Sequence, residues 1–64
     1  MMNSDQENHV ESARQFRAKA AEFAGLVRTT RSLRQGSEAR RRQKAYTALA
    51  ENEEWLAGNS DKLV

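Results

Sequence analysis

The stretch RTTRSLRQGSEARRRQK, Arg28 to Lys44, decides how this chain folds, because Gly36 and Ser37 interrupt two arginine-studded helical patterns near its middle. Gly36 fits the left-handed position just past a helix end, where the absence of a Cβ removes the steric cost. Ser37 fits the N-cap of a following helix, with Glu38 in the first turn beside the positive end of its dipole. A connector confined to residues 35–37 makes the chain double back, and so short a turn joins antiparallel neighbours.

Before the bend the apolar residues step by three and four: Ala13, Phe16, Ala20, Phe23, Val27, Thr30. That is the helical period, a single stripe along one face. Alternating Phe with Ala lets a neighbouring helix approach closely, each ring filling the space an alanine leaves opposite. Helix 1 is expected over about residues 7–34, after a disordered start at 1–6, MMNSDQ, which has no periodic pattern. After the bend, helix 2 is expected over about 38–57, closed by Gly58, with a flexible tail at 59–64. Its large apolar residues Tyr46, Leu49 and Leu56 define a face that should meet Phe16 and Phe23. The expected fold is therefore an all-α, antiparallel two-helix hairpin over residues 7–58 with Phe16, Ala20, Phe23, Val27, Tyr46, Leu49 and Leu56 as its core. Trp55 stands off that face. It reads either as an inter-subunit anchor, since Trp is enriched at interface hot spots, or as a flank residue covered by Leu63 and Val64.

The hydrophobic supply is thin. Leu, Ile, Val and Phe are ten of 64 residues, below the roughly 20% usual for a chain with its own core. Chains under about 70 to 80 residues commonly make up the deficit by self-association. Pairing of two hairpins into a four-helix bundle, a homodimer through Phe16, Phe23, Val27, Tyr46, Leu49 and Leu56, is the expected remedy. No cysteine is present, so neither disulfides nor thiolate chemistry contributes, and one histidine does not make a closed zinc site. The opening MMNSDQENHV is polar and acidic, unlike a secretory leader, and no apolar run approaches a membrane span. A cytoplasmic location is the expectation.

The charge is segregated. Residues 1–27 carry Arg14, Arg17 and Lys19 against Asp5, Glu7, Glu11 and Glu22; residues 28–44 carry Arg28, Arg31, Arg34, Arg40, Arg41, Arg42 and Lys44 against Glu38; residues 45–64 carry Lys62 against Glu51, Glu53, Glu54 and Asp61. The three segments are thus −1, +6 and −3, within a net charge of +2. With helix 2 starting at Glu38, Arg40, Arg41 and Arg42 would sit in its first turns, where the dipole disfavours cations. A local rule broken without local gain points to a partner. Arg34, Arg40, Arg41, Arg42 and Lys44 are accordingly the candidate contacts for an anionic partner. Three explanations are open: a solvated charged face whose arginine stems cover apolar surface, the acidic Glu51, Glu53 and Glu54 of a second copy packed head to tail, or the phosphate backbone of RNA or DNA. No aromatic residue is interleaved among the arginines to stack on bases. Glu51, Glu53 and Glu54 lack a nucleophile, base or cleft, and nothing else in the chain makes a catalytic, cofactor-binding or metal-binding constellation. The reading is a small non-enzymatic protein, without cofactor or small-molecule substrate, that acts through protein–protein interaction or as an adaptor. Arginine-dependent nucleic-acid binding is the alternative.

The blocks FRAKAAEFAGLVR, Phe16 to Arg28, and AYTALAENEEWLAGNSDK, Ala45 to Lys62, resemble a loose group of short, functionally uncharacterised proteobacterial proteins. Their first helix has the form aromatic-Arg-x-Lys-Ala-x-Glu and their second the form aromatic-x-x-Leu-Ala followed by a Glu-Trp-Leu-like end. The resemblance covers most of residues 13–62. It implies a helical hairpin and adds no catalytic residue.

Overall fold

The computed structural model describes residues 4–59. Two helices account for nearly all of them, α1 over Ser4–Thr29 and α2 over Leu33–Asn59, packed against each other as an all-α hairpin. At about 1.5 Å rise per residue, helices of 26 and 27 residues are each about 40 Å long. They account for most of the 47 Å long axis of the molecule, whose other extents are 16 and 10 Å.

The bend lies five residues before the expected one. α1 closes with Thr30 N donating to Leu26 O at 2.9 Å, and α2 opens with Gly36 N donating to Ser32 O at 2.9 Å, leaving Thr30, Arg31 and Ser32 as the connector. Ser32, not Ser37, is the N-cap: its Oγ accepts from Gln35 N at 3.3 Å, satisfying one of the orphan donors of the first turn. Thr30 ties the turn from the other side. Its hydroxyl accepts from Ser32 N at 3.3 Å and donates to Gln35 Oε1 at 3.2 Å. Gly36 is therefore a helical residue, and no glycine has a positive φ. Its lack of a side chain serves close approach, because a Cβ there would stand 3.3 Å from Thr30 Cγ2.

Other boundaries shift as well. Residues 4–6, expected to be disordered, begin α1, and Asn59, expected in the tail, ends α2. Residues 1–3 and 60–64, including Leu63 and Val64, lie outside the described residues.

The helices meet along a seam of small and aromatic residues. Along the seam the buried and half-buried positions include Gln6, His9, Ala13, Phe16, Ala20, Phe23 and Val27 on α1, continued by Thr30 in the connector, and on α2 Gly36, Ala39, Gln43, Tyr46, Ala50, Glu53 and Ala57. Both sets step alternately by three and four, the seam period of a left-handed helix pair. The register follows from the contacts. His9 pairs with Glu53, and Phe16 lies against Tyr46, so seven residues forward on α1 match seven back on α2. The Tyr46 ring spans the gap over Ala20, 6.1 Å from the Phe16 centroid and 5.7 Å from that of Phe23, stacked on the latter. Alanines form the deepest layer, with Ala50 fully buried, and among the described residues no large side chain is completely enclosed.

This seam changes the expected core of α2. Leu49 is 44% exposed and belongs to the flank, while Ala39, Ala50 and Ala57 are buried in its place. The face chosen by the largest residues is rotated about 80° from the packed one. Rings supplied by Phe16, Phe23 and Tyr46 already fill the seam, and alanines opposite them admit that close approach.

Candidate interaction surfaces

The hairpin has two long sides, one to each flank of the seam, and they differ in chemistry. On the first, α1 contributes Phe16, Lys19, Glu22, Phe23 and Leu26, and α2 contributes Glu38, Arg42, Tyr46, Leu49 and Leu56. Phe16, Lys19, Glu22 and Tyr46 line one shallow hollow there, and Phe23, Leu26, Glu38 and Arg42 line the next. Leu26 and Leu49 are exposed, and the Phe16, Phe23, Tyr46 and Leu56 side chains are half-buried. Arg42 lies over the Phe23 ring, its Cζ 5.9 Å from the centroid, in reach of the attraction between a guanidinium and an aromatic face. We call this the aromatic side.

The opposite side is polar. Near the open end, Val10, Ala13, Arg14, Arg17, Glu54 and Ala57 line a hollow in which Arg17 reaches across to Glu54 with two hydrogen bonds, 2.7 and 3.1 Å. That contact holds the Glu54 carboxyl below the usual carboxylate range and raises the Arg17 guanidinium. Arg14 does the same for Glu11 within α1, at 2.7 and 2.9 Å. Toward the bend the picture reverses. Arg31 and Arg40 stand on the two walls of a hollow edged by Thr30, Ser32 and Ser37, and Arg40 and Lys44 line the adjoining one with Thr47 and Glu51. None of these three cations makes an ion pair among the described residues.

With α2 starting at Leu33, Arg40, Arg41 and Arg42 fall in its third turn, beyond the reach of the end dipole. The expected electrostatic anomaly therefore does not exist; Arg34 is the cation in the first turn. The candidate cations also divide. Arg40 and Lys44 are on the polar side, Arg42 is on the aromatic side, and the exposed Arg34 and Arg41 point away from α1. Two residues passed over in the sequence belong with them: Arg31 completes the polar-side hollow, and Leu26 completes the aromatic side. The signal for Leu26 was its place on the helical wheel, whereas Arg31 lies in the connector, where helical spacing does not apply.

Of the acids expected to receive a second copy's bend, Glu53 and Glu54 are engaged inside the hairpin by His9 and Arg17. Trp55 is 58% exposed on the outward face of α2, away from both the seam and the aromatic side. The residues expected to cover it, Leu63 and Val64, lie outside the described residues. Among the described residues no group of three or more potential metal ligands occurs, and no helix is long and apolar enough to cross a membrane. Comparison of the chain with protein-family models, curated proteins and solved structures finds no match.

Proposed function

We propose that this chain acts without catalysis, as a self-associating interaction module of the cytoplasm whose aromatic side packs against that of a second copy to form a four-helix bundle. One observation carries the reading: the chain leaves Leu26 and Leu49 exposed beside half-buried Phe16, Phe23, Tyr46 and Leu56 on a single side. The rim carries both charge signs, Lys19 paired with Glu22 within α1 at 3.4 Å and Arg42 beside Glu38 on α2, which suits a contact between two identical surfaces. The interface differs from the expected one in gaining Leu26 and losing Val27, which the seam occupies.

Sedimentation equilibrium of the full chain at micromolar concentration tests this. The expected result is a dimer that Leu49→Glu converts to a monomer with unchanged helicity by circular dichroism. A wild-type chain that is helical yet monomeric throughout the micromolar range overturns it.

A further inference from the structure

The polar side near the bend carries a second, separate surface. Arg31 in the connector follows Arg28 of α1 by three residues, and Arg40 and Lys44 follow one another by a turn on α2, so four cations form two short rows flanking the seam. None has an ion-pair partner among the described residues. The contrast is with the same side further from the bend, where Arg14 and Arg17 are neutralised by Glu11 and Glu54. Glu38, the acid nearest in sequence, lines the aromatic side instead, and Glu51 marks the far edge of the rows. Unpaired like charges held on a rigid scaffold repel one another and concentrate a positive potential.

We infer that these two rows bind the phosphate backbone of nucleic acid, without reading its bases. The helical row of Arg40 and Lys44, with a rise of about 6 Å, suits a polymer of repeating charge, and a guanidinium matches a phosphate with two parallel hydrogen bonds. The neutral neighbours include the hydroxyls of Ser32, Ser37 and Thr47, which are ordinary donors to phosphate oxygens. A protein partner of acidic surface fits less well, because the cores of protein interfaces are apolar and aromatic, and Leu33 is the one large exposed apolar residue bordering these rows. The same lack of aromatic residues removes base stacking. This inference goes beyond the proposed dimer and does not rest on it: packing through the aromatic side leaves the polar side of each copy facing outward.

The test is fluorescence anisotropy of the full chain with a labelled mixed-sequence DNA duplex over a salt series. Four phosphate contacts give a log–log salt slope of about −3.6, which is about a 150-fold loss of affinity between about 50 and about 200 mM salt. Arg31→Ala combined with Arg40→Ala should bring the slope to about −1.8 and that loss to about 12-fold. Arg14→Ala should leave the slope unchanged, and so should Leu49→Glu per chain, which separates failure of the dimer from failure of this surface. A duplex of different sequence should bind equally. The inference is overturned by no binding at low salt, by a slope indifferent to the double variant, by an equal fall with Arg14→Ala, or by polyglutamate competing as well as DNA at equal charge.

Discussion

The two sides of the hairpin share one seam and the same pair of backbones, yet they hold themselves together differently. On the aromatic side Tyr46 lies against Phe16 and Phe23, and Arg42 covers the latter ring. On the polar side the corresponding crossing is made by Arg17 and Glu54, two side chains about half exposed. Ring burial removes apolar surface from water and is not screened. An exposed ion pair works in high dielectric and against side-chain entropy, so it adds little. The difference teaches that folding stability is concentrated on one side, leaving the other free to carry charge for something else.

The largest expected effect follows directly. Tyr46→Ala removes the ring that pairs with both Phe rings. Truncating a fully buried aromatic costs about 3 to 5 kcal/mol; for this half-buried ring the expectation is about 2 kcal/mol, read from urea unfolding by circular dichroism at fixed chain concentration. A change no larger than that of an exposed polar substitution would show that the two sides contribute alike.

The second effect sharpens the bend. Gly25 faces open space, so Gly25→Ala should stabilise α1 by up to about 1 kcal/mol. Gly36→Ala meets Thr30 Cγ2 at 3.3 Å, and Thr30 is held by its bonds to Ser32 and Gln35. The propensity gain there is opposed by a methyl that cannot easily retreat, and Gly36→Ala should be clearly less stabilising than Gly25→Ala in the same melt. A left-handed Gly36 would instead make the substitution destabilising by about 1 to 2 kcal/mol, which would restore the bend to residues 35–37.

That misplacement shows what the sequence can and cannot display. The stripe of α1 was legible because Phe16, Ala20, Phe23 and Val27 repeat at helical spacing and all reach the seam. The hairpin was legible as well, but not its pivot. Gly36-Ser37 looks like a cap pair, while the working cap, Ser32 with Gln35 three residues on, also matches a helix-start pattern and was hidden among arginines and threonines. Placing α2 too late manufactured a dipole conflict at Arg40–Arg42. The packed face of α2 was missed for a different reason. Weighting residues by size selects Tyr46, Leu49 and Leu56, whereas close packing against rings selects Ala39, Ala50 and Ala57, and alanines carry little signal by themselves. Which cations are unpaired is settled only by three-dimensional neighbours, since Arg17 and Glu54 are 37 residues apart.

The smallest effect isolates that pair. Because Arg17 holds the Glu54 carboxyl below its ordinary range, the folded state binds that proton more weakly than the unfolded chain. The pair's contribution is therefore complete above the unfolded carboxylate value and is lost as pH falls through the lower folded value. Glu11, depressed by Arg14, behaves alike, so the wild-type chain should lose a little stability on acidification for two reasons. Glu54→Gln should reduce the slope of melting temperature against pH in the acid range while leaving the neutral-pH melting temperature nearly unchanged, and Arg17→Ala should do the same. The double variant should match either single one, because each change alone already removes the interaction. A neutral-pH loss from Glu54→Gln as large as that from Tyr46→Ala would erase the distinction between the sides, since an exposed carboxylate would then support the hairpin as much as a stacked ring.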